Sequence, residues 1–264
     1  MTAASGKGIA RLLIALMLAL PAVARAQDAG EDEGAVTVGA SADLVSSYVW
    51  RGIQYSNRAN LQPSVWLDKG AWELGTWGSH EFKGDDGFHE QDFWLTYSLP
   101  EASIGSLAVT LNDYFSTQDS QHNRFLDYSG VENCSADEGV GDPPRCGTGN
   151  HTLEVVGSYS APTVPIGLMV AYNFYNDPEN ALYSEASFTP EVAGFELGLT
   201  AGGVLRKSEW YYGVDKASFT NLGASIGRSL EMASFSIPLS AQIIRNPFLE
   251  ETYYVLSAGI SAEF

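Results

Sequence analysis

The sequence predicts an all-β fold, a transmembrane antiparallel β-barrel of about 12 strands with both termini periplasmic. Three observations predict it. Apolar and polar residues alternate with period two from Ala35 to the end of the chain. Short and longer connections between the alternating runs take turns. The last run is long, regular and closes on the aromatic Phe264.

Composition fits a wall with lipid on one side and water on the other. Charged residues are 17% and aromatics 12% of the 264 residues, with 27 Gly and a mean hydropathy of −0.07. A helical membrane protein would carry long apolar runs, whereas a membrane strand needs only every second residue to be apolar. The net charge of −18 argues against nucleic acid or an anionic surface as partner.

Residues 1–26 read as a secretory signal. Lys7 and Arg11 give the positive start, Leu12 to Leu20 the apolar core, and Ala24-Arg25-Ala26 the small residues before a cut after Ala26. A short N-terminal anchor helix is the rival reading, but nine apolar residues are too few to span a bilayer. Removing Lys7, Arg11 and Arg25 takes three of the 14 basic residues and none of the 32 acids. Residues 27–34 form a short acidic segment, and the barrel is expected over 35–264.

The expected strands are 36–50, 61–68, 71–82, 90–99, 107–115, 151–159, 166–175, 181–189, 195–205, 217–228, 235–244 and 252–264. In the first, Val36, Val38, Ala40, Ala42, Leu44, Tyr48 and Trp50 share a face. A sandwich strand alternates too, but 36–50 is long for a sandwich and natural for a tilted membrane strand. Short connections at 68–70, 100–106, 160–165, 190–194 and 229–234 are assigned to the periplasm, and the long ones, above all 116–150, to the outside. Outward rings gather near the ends of strands: Tyr48, Trp50, Phe115, Tyr172, Phe174 and Tyr254 at the outer rim, and Trp72, Tyr97, Tyr159, Phe188, Phe195, Phe235 and Phe264 at the inner rim. Tyr254, Leu256, Ile260 and Phe264 resemble the C-terminal signal read by the barrel assembly machinery.

Residues 42–52, Ala-Asp-Leu-Val-Ser-Ser-Tyr-Val-Trp-Arg-Gly, followed by Gln62-Pro63-Ser64 and Gly75-Thr76-Trp77-Gly78-Ser79, resemble the opening of TorF-family putative porins and related uncharacterised outer-membrane proteins. The match covers the first two hairpins. It implies a barrel with a channel role, and no established substrate or catalytic residue. Arg51 and Gly52 either shape the strand-to-loop corner or place Arg51 in a pore.

Candidate lumen residues follow from the alternation. Asp43, Glu73, Asp92, Glu154, Glu185 and Glu196 are expected inside with Arg51, as are Asp68, Glu81, Glu90 and Glu263. Carboxylates lining a pore favour cations. If Phe82 faces His89, Trp77 stands opposite Trp94 inside the lumen, filling space or stacking on sugar rings. Cys134 and Cys146 read as a disulfide in an exported chain; zinc is the rival, but two thiols make a poor zinc site. The loop 116–150 is expected to fold over or into the outer mouth.

His80 and His151 are expected on outward faces near the outer rim, with no Ser and carboxylate beside them to form a nucleophilic site. Asn176 to Asn180 and Lys83 to Gly87 could hold Ca²⁺, though acidic loop tips are usually just solvated. The expected protein is not an enzyme and takes no cofactor or metal. It is a porin-like channel in the bacterial outer membrane, facing lipid and lipopolysaccharide and passing small polar or cationic solutes. A closed structural or adhesive barrel acting through its outside loops is the alternative, and an outer-membrane lipid hydrolase is a third reading.

Overall fold

A computed structural model describes residues 35–83, 87–116, 125–129 and 150–264. The signal segment, the acidic segment, both cysteines and most of the 116–150 loop lie outside the described residues. Among the described residues, fifteen strands run β1 (Thr37–Val45), β2 (Tyr48–Trp50), β3 (Ile53–Ser56), β4 (Asn60–Lys69), β5 (Trp72–Glu81), β6 (His89–Ser98), β7 (Ser106–Ser116), β8 (His151–Ser160), β9 (Ile166–Tyr175), β10 (Leu182–Phe188), β11 (Glu191–Val192), β12 (Phe195–Val204), β13 (Ser218–Glu231), β14 (Ser236–Asn246) and β15 (Glu251–Glu263). Twelve of them close into one antiparallel barrel. Each neighbours the next in sequence, β10 pairs with β12, and β15 pairs back onto β1. The two-residue β11 lies against β12 in a turn, and β2 and β3 form a separate hairpin.

Closure leaves no unpaired edge, which a bilayer requires because lipid cannot satisfy free backbone groups. The seam lies between the first and last strands, from Gly39 opposite Glu263 to Val45 opposite Ser257. Beyond it, the amide of Val38 donates to the carbonyl of Phe264, and that of Phe264 to Val38. The two ends of the barrel sequence therefore lie together, as an even strand number dictates.

The wall follows the alternation. Val65, Leu67, Leu74, Leu107, Val109, Leu168, Val170, Leu199, Leu222, Leu239, Ile243 and Ile260 point outward and are exposed. Such an apolar belt is unfavourable in water and is satisfied by hydrocarbon. Near the short turns, Trp72 and Tyr97 form a ring pair 4.7 Å apart, with Phe188, Phe195, Phe235 and Phe264 also exposed, as the aromatic girdle predicts. Tyr254, Leu256 and Ile260 share the outward face of β15, and Phe264 follows its last residue, also exposed.

Two expectations are corrected. The first strand ends at Val45, and Tyr48 and Trp50, expected at the outer rim, are buried inside the barrel. Tyr48, Val49 and Trp50 are all buried in succession, which no membrane strand with one lipid face can do. In the second hairpin, His80 faces His89, so Trp77 stands opposite Asp92 and Trp94 opposite Gly75. A shift of two residues leaves every side chain on its face, so alternation alone cannot choose between the registers. Packing chooses: a Cβ on Gly75 would lie 2.0 Å from the Trp94 ring, so only glycine admits the ring there.

Candidate functional site: a hairpin across the lumen

The chain leaves the wall at Ser46 and Ser47. Ser46 keeps its amide on the carbonyl of Leu256 at 2.9 Å, and its Oγ accepts from the Leu256 amide at 2.9 Å. Ser47 Oγ turns inward, donating to the carbonyl of Ser56 at 2.7 Å and accepting from Gln54 Nε2 at 2.9 Å. Asn60, fully buried at the start of β4, donates from Nδ2 to Ser56 Oγ and to the carbonyl of Arg58. Together these polar groups fix the base of the β2–β3 hairpin at the point where it bends into the barrel.

At the tip, Trp50 pairs with Ile53 across Arg51 and Gly52. Both turn residues have positive φ, 47° and 80°. That is the two-residue turn whose twist suits a hairpin, normally filled by Asn-Gly or Gly-Gly. Arginine in the left-handed region costs about 1–2 kcal/mol, so its side chain must return that in contacts.

The hairpin reaches from wall to wall. Near its base, the Tyr48 hydroxyl donates to Glu90 Oε2 on β6 at 2.8 Å, and its ring packs on Trp77, Tyr55 and Phe88. At its tip, the Gly52 carbonyl accepts from Asn246 Nδ2 on β14 at 3.0 Å. A Cβ on Gly52 would lie 1.8 Å from the carbonyl oxygen of Thr220 on β13, so the tip meets that strand backbone to backbone. Around the ring of twelve, β13 is diametrically opposite β6.

Arg51 is 1% exposed, and its guanidinium is the centre of the assembly. It clamps Glu154 on β8 through two parallel bonds, Nη1 to Oε1 at 2.6 Å and Nη2 to Oε2 at 3.0 Å. Nη1 also donates to the Tyr212 hydroxyl at 2.8 Å. The guanidinium carbon lies 4.3 Å from the Trp50 ring centroid and 4.7 Å from that of Tyr183, a cation between two π faces. Glu154 Oε2 is further held by the Tyr114 hydroxyl at 2.7 Å and Asn112 Nδ2 at 3.2 Å. Tyr212 stacks on Tyr183 and Trp50, while Tyr211 meets Trp50 edge-on. Tyr211 and Tyr212 belong to the loop between β12 and β13, and burial pushes both hydroxyls well above their usual range, so they stay protonated.

The predicted lumen residues share the inward face but not one site. Glu154 alone joins Arg51 directly. Asp92 lies opposite Trp77 and Tyr114 and beside Glu90; its Oδ1 is buried without a hydrogen-bond partner among the described residues. Glu185 accepts from Asn221 Nδ2 at 2.8 Å and from the Tyr183 hydroxyl, and so braces one wall of the guanidinium cage. Glu73 accepts from Trp94 Nε1 at 2.6 Å nearer the short turns. Asp43 lies across from Gln62 and Gly259, below the bend at which the hairpin leaves the wall, and Glu196 lies across from Gly227 and Glu191 near the short turns. Trp77 packs on Tyr48 and does not face Trp94.

Sequence reasoning missed the aromatic partners Tyr48, Trp50, Tyr114, Tyr183 and Tyr212. One signal was present: Trp210-Tyr211-Tyr212 sits in a polar loop where no membrane face calls for rings. The described part of the 116–150 loop lies on the outside of the wall. Phe125 packs against Phe93, Phe115 and His151, and the Tyr128 hydroxyl donates to Asp113 Oδ2 at 2.7 Å. His151 is fully buried beneath them, its Nδ1 2.7 Å from Asp113 Oδ1 and its Nε2 2.7 Å from the carbonyl of Phe125. Both ring nitrogens are thus engaged, and neither faces a serine among these contacts. Asp177, a candidate Ca²⁺ ligand, instead accepts from the amides of Glu179 and Ala181 and from Asn173 Nδ2, which builds the turn.

No family model matches the chain, and no curated protein matches its sequence. Solved barrels match its fold. The KdgM porin in complex with disordered oligogalacturonate superposes with a TM-score of 0.50 at 6% identity, covering 86% of this chain and 99% of that one. A second KdgM porin structure gives 0.47 at 6% identity with the same coverage. The outer membrane protein Omp33 of Acinetobacter baumannii gives 0.44 at 7% identity, covering 87% and 97%. At such identities the likeness to the first is one of fold: a closed transmembrane β-barrel.

Proposed function

We propose that the chain is a bacterial outer-membrane channel for passive diffusion of small polar solutes, cation-preferring, and closed at rest by its own hairpin. One observation carries the reading. Among the described residues, Arg51 is the only buried Lys or Arg, while Glu90, Asp92, Glu154, Asp177 and Glu185 are buried acids. Arg51 is already matched by Glu154, so among the described residues the remaining inward carboxylates make the interior acid-rich with no second buried Lys or Arg. In a low-dielectric barrel such an interior attracts cations and excludes anions. The fold shared with a porin supports the class, and the outward apolar belt supports contact with outer-membrane lipid and lipopolysaccharide. Assembly through the β15 outward face, with its terminal Phe264, belongs to the same reading.

The test is single-channel recording of the refolded protein in a planar bilayer, with reversal potentials across a KCl gradient. Small cation-selective steps, more selective at low salt, are expected. An anion-selective reversal potential overturns the cation preference. A second reading, a permanently closed barrel acting through its outside loops, draws on the close seating of Gly52 against β13. Silence of both the wild type and a variant lacking residues 48–55 would favour it.

A further inference from the structure

We propose that the Arg51 site is a guanidinium-recognition site occupied at rest by the chain's own arginine, and that guanidinium-bearing solutes displace Arg51 and so open the lumen. The inference rests on the channel reading for its consequence but not for the site itself.

The site is built for a planar cation. Its fixed parts come from elements other than the hairpin: Glu154 from β8, Tyr183 from β10, Tyr114 and Asn112 from β7, and Tyr212 from the β12–β13 loop. They hold together without Arg51. Tyr114 and Asn112 bond to Glu154, and Tyr183 stacks on Tyr212 with an interplanar angle of 3°. When the hairpin withdraws, Trp50 leaves with it, but the carboxylate, the hydroxyl and the Tyr183 face remain. A carboxylate presenting two oxygens in line matches a guanidinium fork and not the compact point charge of an ammonium.

The resident ligand fits imperfectly, which makes it displaceable. Arg51 adopts φ 47°, a conformation that non-glycine residues rarely take. Its Nε is buried without a hydrogen-bond partner among the described residues. A free guanidinium solute carries neither the backbone strain nor the tether that aims Nε away from an acceptor. Displacement has a structural consequence because Arg51 and Gly52 are adjacent. Losing the Glu154 clamp removes the strongest bond at the tip, leaving the Gly52 carbonyl on Asn246 as its remaining described hydrogen bond to the wall. The chemical class follows: arginine-like amides, short basic peptides ending in arginine, and alkylguanidines.

Two measurements test this. Arg51→Gly empties the site while relieving the left-handed backbone, so folding is expected to persist; heat-modifiable electrophoretic mobility checks it. Calorimetric titration of the detergent-solubilised variant with n-propylguanidinium, the side chain it lacks, should show saturable binding. n-Butylammonium should bind at least tenfold more weakly, and R51G/E154Q should lose the binding. In the wild type, L-arginine amide should raise open probability severalfold in a planar bilayer, and L-lysine amide should not. Folded R51G that binds no n-propylguanidinium overturns the site, and so does equal binding of n-propylguanidinium and n-butylammonium. If R51G fails to fold, the wild-type recording decides: equal responses to the two amides overturn the proposal. Binding to R51G in a barrel that never conducts would retain the site and sink the channel reading instead.

Discussion

Towards the short turns the lumen is lined by hydroxyls and by tryptophan rings seated over glycines, whereas towards the long loops it is filled by an inserted aromatic hairpin. In the first half, Ser236 meets Ser261 at 2.7 Å, Ser240 meets Ser257 at 2.7 Å, and Thr96 meets Thr110 at 2.9 Å. A Cβ on Gly39 would lie 1.9 Å from the Trp66 ring, and one on Gly75 would lie 2.0 Å from the Trp94 ring. In the second half, Tyr48, Trp50, Tyr183 and Tyr212 form one buried cluster around the hairpin. In the first half each tryptophan ring lies over a glycine of the neighbouring strand, against the wall. Rings on an inserted hairpin meet at the centre and exclude water. Constriction is therefore a property of a loop, and bore width a property of the wall.

The comparison is broken most severely by removing the hairpin. Replacing residues 48–55 with a short Gly-Ser linker should raise conductance severalfold, since the wall beneath is closed by its own ladder. Planar-bilayer recording checks it; an unchanged conductance would place the constriction elsewhere.

Glu154→Gln should act next most strongly. It leaves Arg51 buried without its counter-charge, a loss of about 3–5 kcal/mol when a buried pair is broken from one side. The cheapest relief is withdrawal of the hairpin, which exposes Arg51. Trypsin should then cut after Arg51 in the variant and spare it in the wild type.

Gly52→Val sharpens the same contrast without touching charge. The positive φ alone costs about 1–2 kcal/mol for a non-glycine residue, and the overlap with Thr220 keeps the tip from seating. Higher conductance with the unfolding midpoint of the barrel barely lowered is the expected pair of results.

Gly75→Ala probes the wide half. The new methyl would meet the Trp94 ring at 2.0 Å and displace it from Glu73. Loss of that hydrogen bond should cost about 1 kcal/mol, read from urea unfolding, with conductance unchanged because the narrow point lies elsewhere. Tyr128→Phe should do least. It removes one bond to Asp113 outside the wall, about 0.5–1.5 kcal/mol, and should leave ion flow as it was.

Eleven of the twelve wall segments were readable to within three residues because each is an alternating run bounded by turn residues, and the first was read five residues too long. The β5–β6 register was not readable, since shifts by two keep the same faces and only the room above Gly75 selects one. Arg51 was readable as a corner or pore residue from Trp50-Arg51-Gly52, yet its partners were not. Tyr48 and Trp50 continued the period-two pattern of β1 in sequence, and nothing local marks the bend at Ser46-Ser47 that sends them inside. Glu154 was readable as an inward acid on β8, but not as the acid that holds Arg51.

Sequence alone determined the wall, its strand number and its lipid-facing side, because alternation is a local pattern and hydrocarbon sorts apolar from polar side chains strand by strand. Only the tertiary structure decided what fills the lumen. Arg51 reaches Glu154 across 103 residues of chain and Tyr212 across 161, while Gly52 is held by Asn246 across 194. No local period encodes a contact over such distances. It exists because closing the barrel brings β8, β10, β13 and β14 around one axis, and the first loop is short enough, and aromatic enough, to be buried there.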